Sequence, residues 1–483
     1  MDEFLVDLTT TICAISTPHG AGGIAVIRVS GPDALEIVGK VWQGCDLSNI
    51  PSHSARLGQI IDDRSEEPLD QCIATVFKGP RSYTGQDTVE LSVHGSKWIQ
   101  REVISLLIRH GAQLAGRGEF TRRALANGHL DLAQAEGVAD LIASESRAAH
   151  RIALRQMKGS VTQALETLRR QLIHLASLIE LELDFSEEDV EFVNRSKLSE
   201  LTSEIITEVD RLHKSYARGN AIKEGIPVAI VGPTNAGKSS LLNRLLNDNR
   251  AIVSDIHGTT RDTIEETMEL GNYLFRFIDT AGLRDTSDPI EQIGISRSRK
   301  AIDQSSVIIV LIDASLVPGQ PEDGVTYIRQ QIDTIMPDHD NINDYSDRHI
   351  LVALNKIDLL NHTPSYPTSL ETSWPDESRR NTIIIPISTL TGQGISALIE
   401  QLEETAATTD SDQILITSQR QAQALAAASS SLHILLDSLS TSLPTDLLAF
   451  HLRDALHHLS SVTDPITTPD ILNSIFQSFC IGK

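Results

Sequence analysis

The spacing of apolar and polar residues divides the chain into regions of different character. Up to about residue 120, short β-rich runs are separated by Gly and Pro, and one amphipathic run, Trp98–Arg109, predicts a helix. The predicted strands are Thr11–Ile15, Gly23–Val29, Ile73–Phe77 and Thr88–Val93. This mixture predicts an α+β domain.

Two later regions have helical character. From Glu119 to about Ile222, Ala, Leu, Glu and Arg dominate, apolar residues recur at helical spacing, and Gly and Pro are scarce. This pattern predicts long helices, with Thr121 as the N-cap of the first. After Ala406 an Ala-, Ser- and Leu-rich sequence again predicts helices.

Between the helical regions, buried strands alternate with amphipathic segments, which predicts a parallel sheet. The predicted strands are Val228–Val231, Leu274–Ile278, Val307–Ile312, Ile350–Leu354 and Ile383–Ile387. Two polar stretches, Pro337–Arg348 and Asn361–Asn381, are interpreted as surface loops of this α/β domain.

The order of these regions indicates an insertion, because two helical segments flank the α/β segment. The predicted fold class is multidomain: an α+β N-terminal domain, a discontinuous all-α helical domain and an inserted α/β P-loop domain. The predicted boundaries are 1–120 for the first domain, 121–222 and 406–483 for the two helical parts, and 223–405 for the insertion.

The charge balance limits how the protein can bind nucleic acid. Its 483 residues include 65 acidic and 41 basic side chains, a formal charge of −24. Any RNA contact therefore needs a local basic patch or a partner. Aliphatic runs are too short for a membrane span, and the N-terminus lacks a secretory pattern. Four cysteines without CxxC spacing argue against disulfides and zinc, so a cytoplasmic location is expected.

The segment Gly232–Ser239 has the context of a P-loop, because it follows a predicted strand and opens an apolar helix. Gly232 and Gly237 allow backbone N–H groups to approach phosphates. Lys238 can reach the β and γ oxygens, and the Ser239 hydroxyl can ligate Mg²⁺.

Further nucleotide motifs follow in order. Asp279–Gly282, after a predicted strand, supplies a carboxylate near Mg²⁺ and a Gly amide near the γ-phosphate. Gly258–Asp262 fits the first switch, with Thr260 as a magnesium ligand. Leu283 stands where Ras-type enzymes carry the Gln that positions water. The acidic residues available to orient water instead are Asp285, Asp288 and Glu291.

The base is expected to be guanine. Asp358, in the motif Asn355–Asp358, can accept hydrogen bonds from the guanine N1–H and amine, a donor pair that adenine lacks. Leaving such a carboxylate unpaired can discriminate by roughly 10⁴-fold, so GTP is preferred over ATP. Ser388, Thr389 and Leu390 are predicted to close the base pocket, mainly through backbone contacts.

Taken together, these motifs resemble the MnmE (TrmE) family of tRNA-modification GTPases essentially from end to end. The segments that carry the resemblance, besides the GTPase motifs, are Thr17–Ile24, Ile27–Pro32, Ser82–Gly85, Gly118–Thr121, Leu130–Glu136 and the terminal Cys480-Ile-Gly-Lys483. The P-loop alone is generic, whereas the terminal tetrapeptide combined with the N-terminal segments is specific.

The resemblance implies a GTP-hydrolysing homodimer whose N-terminal domain binds folate and dimerises. It also implies a complex, heterotetrameric or larger, with the flavoprotein MnmG (GidA), which carries FAD. Together they would add an aminomethyl or carboxymethylaminomethyl group to C5 of the wobble uridine, position 34, of certain tRNAs. The one-carbon donor would be 5,10-methylene- or 5-formyl-tetrahydrofolate.

The same resemblance assigns roles to individual residues. Potassium would be bound by Asn235, Ser254, Ile256 and Thr259, and Glu291 would orient the attacking water, so that Glu291, Lys238 and Asn235 are the implied catalytic residues. Folate would be held by Arg28, Glu90, His129 and Lys483. The remaining implied nucleotide contacts are Ala236, Gly237, Ser240, Asp255, His257, Gly258, Asp279, Thr280, Ala281, Gly282, Asn355, Lys356, Ser388, Thr389 and Leu390.

Two alternatives from other classes remain open at this point: a ribosome-assembly GTPase switch, and a nucleotide-binding scaffold without turnover. The first usually carries a basic RNA-binding module with a GXXG loop, which is not evident here. Whether Cys480 is a nucleophile or a packing residue also stays open.

Overall fold

A computed structural model describes residues 6–184, 195–248, 266–278, 300–336, 348–360, 382–408, 413–441 and 445–463, with Phe476, Phe479 and Gly482. These residues form two compact units. The first comprises 1–142, 153–213 and 419–483, and the second comprises 143–152 and 214–418. Within the described ranges, no helix combines the length and apolar character needed to cross a membrane.

The first unit contains a seven-stranded sheet with the order β3-β4-β5-β6-β2-β1-β7. Its strands are β1 (Ile12–Ile15), β2 (Ile24–Ser30), β3 (Trp42–Gln43), β4 (Ser54–Ile61), β5 (Pro68–Phe77), β6 (Thr88–His94) and β7 (Gln113–Leu114). Neighbouring strands are antiparallel except β1 and β7, which are parallel.

One face of this sheet is packed beneath helices α1 (Ala34–Val41) and α2 (Lys97–Arg109). Along β2, Ile27 and Val29 point into this core, whereas Val26 and Arg28 are half-buried at the alternating positions. The four strands and the helix expected from the sequence are confirmed. The expectation of only one helix is wrong, because α1 is present, and β3, β4 and β7 were not predicted.

The rest of the first unit is helical. Its helices are α3 (Glu119–Ala126), α4 (Leu132–Ala143), α6 (Ser160–Asp184), α11 (Gln419–Ser440) and α12 (Thr445–Thr463), while α5 (Arg147–Met157) and α7 (Arg195–Glu224) continue into the second unit. Helix α12 packs against both α6 and α11. Arg420 makes a bidentate ion pair with Glu136 of α4, in which Nε donates to Oε1 at 2.8 Å and Nη2 donates to Oε2 at 3.1 Å. Segments distant in sequence therefore form one helical layer.

The expected N-cap at Thr121 is wrong. Helix α3 begins at Glu119 behind Gly118, which has a φ of 63°. Thr121 lies inside the first turn, fully buried, and its hydroxyl is hydrogen-bonded to the Tyr83 hydroxyl at 2.9 Å. A Cβ on Gly118 would approach Phe476 at 2.8 Å, so close packing favours Gly there.

The second unit is a six-stranded sheet with the order β13-β12-β11-β8-β10-β9. Its strands are β8 (Ile226–Val231), β9 (Glu266–Leu270), β10 (Tyr273–Ile278), β11 (Val307–Asp313), β12 (His349–Asn355) and β13 (Thr382–Pro386), and its helices include α8 (Lys238–Asp248), α9 (Pro321–Ile335) and α10 (Ile395–Thr408). The five predicted strands are confirmed as parallel, and the unpredicted β9 runs antiparallel to β10.

This sheet is covered on both faces, as the continuous apolar runs require. In β8, Val228 and Ile230 pack into one core, and Ala229 and Val231 pack into the other. Every residue of β8 is buried. Because the strands run parallel, their carboxyl ends meet at one edge, where ligands bind in this class of sheet.

Candidate functional site

The loop between β8 and α8 has the backbone of a phosphate cradle. Gly232 and Gly237 have φ values of 152° and 101°, and Asn235 is left-handed at 62°. A Cβ on Gly232 would lie 2.3 Å from the Leu311 carbonyl oxygen, and one on Gly237 would lie 2.3 Å from Asn355 Nδ2. Both positions therefore require Gly for conformation and for space.

Lys238 begins helix α8 and folds back over the loop. Its Nζ donates to the carbonyl oxygens of Gly232 at 2.7 Å and Pro233 at 2.8 Å. An ammonium group has three donors, so one remains for a phosphate oxygen. Burial lowers the pKa of Lys238 from its ordinary value. A phosphate bound beside Lys238 would favour the charged form of the ammonium group.

Asn355, at the end of β12, connects this loop to the segment after β13. The side chain is 1% exposed. Its Nδ2 donates to the Ala236 carbonyl oxygen at 2.8 Å, and its Oδ1 accepts from the Thr389 amide at 3.0 Å. One amide therefore fixes the distance between the phosphate loop and the predicted base loop.

Lys356 follows in the left-handed conformation, with φ of 67°. Its Nζ donates to Asp313 Oδ2 at 2.6 Å, at the end of β11. Asp313 Oδ1 also accepts from the Ser315 amide at 3.0 Å and hydroxyl at 2.6 Å. Burial acts to raise the pKa of Asp313, but the hydrogen bonds from Lys356 and Ser315 outweigh it and hold the pKa below its ordinary value.

Asp358 is exposed, so its carboxylate is accessible to a ligand. The buried Ser388 hydroxyl donates to Asp358 Oδ1 at 2.5 Å. This bond orients the carboxylate and leaves Oδ2 for a ligand. The Leu390 side chain is 78% exposed, so within the described structure this segment contributes through Ser388 and the Thr389 backbone.

Several predicted nucleotide and metal residues lie outside the described residues: Ser254, Asp255, Ile256, His257, Gly258, Thr259, Thr260, Asp279, Thr280, Ala281, Gly282, Asp285, Asp288 and Glu291. The described loop contains Asn235, Ser239 and Ser240. Among described residues, no group of three His, Cys, Asp or Glu side chains is arranged to hold a metal. The predicted donors are hydroxyl, amide and carbonyl oxygens, which suit Mg²⁺ and K⁺ chemically.

A second cluster lies on the sheet of the first unit. Arg28 of β2 and Glu90 of β6 are direct cross-strand neighbours. Arg28 donates to Glu90 Oε1 from Nε at 2.9 Å, and its Nη2 lies 2.8 Å from the same oxygen. Both contacts converge on Oε1. In the described part of the chain, Glu90 Oε2 and Arg28 Nη1 therefore stay available as an acceptor and a donor.

This pattern fits a pteridine. The ring offers an amine and an N–H to a carboxylate oxygen and a carbonyl oxygen to a guanidinium. The fit depends on Arg28 Nη1 and Glu90 Oε2, the atoms that the contacts between the two side chains leave available. Of the other two predicted folate residues, His129 lies beside Gly85, where a Cβ would be 2.9 Å from its ring. Lys483 lies outside the described residues, as does Cys480.

Gly482 contacts the end of β1 in the same sheet. The Ser16 hydroxyl donates to the Gly482 carbonyl oxygen at 3.0 Å. A Cβ on Gly482 would lie 2.1 Å from the Ile15 carbonyl oxygen, and its φ is 101°. Ala14, the residue before Ile15 on the same strand, is the cross-strand neighbour of Arg28.

Sequence reasoning missed three residues that shape these sites. Asp313 was not singled out, although a carboxylate at the carboxyl end of a parallel strand is a usable signal. Tyr83 and Phe120 stood in segments that carried the family resemblance but received no role. The distances between each ring and the Arg28 guanidinium, 5.5 and 5.4 Å, depend on tertiary structure.

Comparisons with known proteins agree over the whole length. Residues 11–129 match the family model described as the GTP-binding protein TrmE N-terminus, and residues 132–480 match the MnmE helical domain. The tRNA modification GTPase MnmE of Christiangramia forsetii is 46% identical, covering 99% of this chain and 100% of that protein. Those of Parabacteroides distasonis and Bacteroides fragilis are 44% and 42% identical, covering 98% of this chain and at least 99% of theirs.

Proposed function

Because the chain belongs to the MnmE family of tRNA modification GTPases, we propose that it couples GTP hydrolysis to modification of the tRNA wobble uridine. The added group is aminomethyl or carboxymethylaminomethyl on C5 of position 34. A flavoprotein partner of the MnmG type carries the FAD. The chain is proposed to act in the cytoplasm as a homodimer, within a heterotetramer or larger assembly.

The observation that carries the proposal is the Asn355 bridge between the phosphate loop and the base loop. The bridge supports a nucleotide site in which the phosphate loop is tied to the segment whose Ser388 hydrogen-bonds Asp358, the carboxylate proposed to read guanine. Lys238 then holds the β and γ phosphates, and Asp358 reads guanine. Preorganised groups of this kind stabilise charge that develops during phosphoryl transfer.

Metal ions belong to the same proposal. Mg²⁺ would be held by Ser239 and Thr260, and K⁺ by Asn235, Ser254, Ile256 and Thr259. Bound cations supply positive charge next to the phosphates. Asn235 lies within the phosphate loop with a left-handed backbone and is exposed. Glu291 is proposed to orient the attacking water. Faster GTP turnover in KCl than in NaCl is expected, and equal rates would contradict the potassium site.

Folate is proposed to bind at Arg28 and Glu90, with His129 and Lys483 completing the site. The tetrahydrofolate, in its 5,10-methylene or 5-formyl form, supplies the one-carbon unit. In this chain the Glu90 carboxylate accepts from the pteridine and the cationic groups bind its acceptor and anionic groups. Support comes from the outward edges of the Arg28–Glu90 pair.

The function is tested by nucleoside analysis of tRNA from a strain lacking the protein. We expect wobble uridines without the C5 group, restored by the wild-type chain but not by Lys238→Ala. Lys40→Ala is the matched control, because among the described residues Lys40 pairs with Glu36 on α1 and lies outside the proposed sites. Normal uridine modification in the deletion strain would overturn the proposed function.

A further inference from the structure

Two aromatic rings hold the cation of the Arg28–Glu90 pair. The Arg28 guanidinium carbon lies 5.5 Å from the centre of the Tyr83 ring and 5.4 Å from that of the Phe120 ring. Both distances are within the range of cation–π attraction. Tyr83 and Phe120, here called the aromatic pair, come from segments far apart in sequence.

The aromatic pair is itself held in place. Phe120 is fully buried and packs with Ile12, Ala14 and Ala115. The Tyr83 hydroxyl is hydrogen-bonded to Thr121, the residue after Phe120, at 2.9 Å. The helix α3 segment that supplies one ring therefore also anchors the other.

A flexible Arg side chain normally loses entropy when it is fixed for binding. Here the two rings and Glu90 constrain the guanidinium before any ligand arrives. The Glu90 contacts use Nε and Nη2, so the edge at Nη1 is presented in a defined direction. Preorganisation of this kind increases affinity by lowering the cost of ordering.

We propose that Tyr83 and Phe120 are positioning residues that orient Arg28 for the pteridine of tetrahydrofolate. The inference rests on the proposed folate site and adds to it the residues that set its geometry. The aromatic pair acts through Arg28. Ligand discrimination at this site therefore depends on residues that need not touch the ligand.

The test is titration of the purified full-length chain with 5-formyl-tetrahydrofolate, followed by calorimetry and, for weak variants, ligand-detected NMR. Tyr83→Leu is expected to weaken affinity by roughly 3- to 30-fold, the range of a partly desolvated cation–π contact. Tyr83→Phe keeps the ring and should remain within about threefold of wild type. Phe77→Leu, which removes a ring that packs on His53, is the matched control and should leave affinity unchanged.

A double-mutant cycle separates positioning from other roles. In an Arg28→Ala background, Tyr83→Leu should cause no further loss, because the aromatic pair acts through Arg28. An undiminished effect in that background would overturn the inference, as would wild-type affinity in Tyr83→Leu. Thermal unfolding and GTP affinity report whether the variants fold. Absence of folate binding to the wild type would instead overturn the folate site itself, and the inference with it.

Discussion

At the scale of single residues, the side-chain amide of Asn355 links two loops by hydrogen bonds to their backbones. Asn355 is buried, and its side chain hydrogen-bonds both the Ala236 carbonyl oxygen and the Thr389 amide. These two backbone groups are 153 positions apart in the sequence. A carboxylate at this position could still accept from Thr389 but could not donate to Ala236. The amide is therefore required for both connections.

We predict that Asn355→Ala removes a hydrogen-bond partner from the buried Ala236 carbonyl oxygen and from the partly buried Thr389 amide. The expected loss is about 1–3 kcal/mol of unfolding free energy for each group that stays unsatisfied, together with weaker GTP binding. Urea unfolding and nucleotide titration measure the two effects. Asn49→Ala, which loses only an exposed contact to Asp46, is the control. Unchanged GTP affinity in Asn355→Ala would show that the bridge does not organise the nucleotide site.

The residues of the phosphate loop could be predicted from a local motif, because they lie within a few positions of the end of a strand. Gly232, Gly237 and Lys238 have the conformations and contacts that a phosphate loop needs. The Asn355 bridge and the Asp313–Lys356 pair could not be read in the same way. They join segments through the order of strands in the sheet, which sequence spacing does not specify.

At the scale of elements, strand β12 begins with an imidazole in a partly apolar environment. Burial lowers the pKa of His349 below its ordinary value of 6.5. The folded state therefore binds this proton less readily than the unfolded state. Stability from the neutral imidazole is complete above pH 6.5 and is lost as the pH falls through the lowered pKa.

We predict that His349→Gln reduces the loss of stability between neutral and mildly acidic pH. Urea midpoints at about pH 7.5 and pH 5.5 should differ less in the variant than in the wild type. His150→Gln changes an exposed imidazole of the same unit and should behave like the wild type. If both variants match the wild type, the His349 proton is not linked to folding.

Prediction of the elements succeeded where the apolar pattern was continuous and failed where it was mixed. The parallel strands are buried on both faces and stand out as apolar runs. Strand β4 has one buried residue among exposed and half-buried ones and contains Gly58, so neither alternation nor continuity marks it. Thr121 has the side chain of a cap, but burial against Tyr83 placed it inside α3.

At the scale of the whole molecule, residues near the two ends of the sequence meet at one sheet. Gly482 packs against Ile15, the last residue of β1, and against Ser16, and β1 is paired with the strand that carries Arg28. No short-range pattern indicates this contact. Only the family resemblance connected the terminal tetrapeptide to the N-terminal segments.

We predict that Gly482→Ala displaces the terminal segment and weakens folate binding. A Cβ would meet the Ile15 carbonyl oxygen at 2.1 Å. The positive φ adds about 1–3 kcal/mol of backbone strain. Gly111→Ala is the control, because its φ of 107° is similar but its Cβ would meet only Ile37 at 3.9 Å. Titration should show weaker folate binding in the first variant alone, with GTP affinity retained; equal folate affinities would contradict the role of Gly482.

The contact between Ser16 and Gly482 also bears on the order in which parts of the protein can form during synthesis. The two residues are 466 positions apart. A ribosome that adds about 5–20 residues per second needs roughly 20 to 90 s to pass from one to the other. In the later part of that interval the nascent chain already contains the P-loop sequence, residues 232–239, but not yet Gly482. The contact between Gly482 and Ser16 can therefore form only after the P-loop sequence has been synthesised.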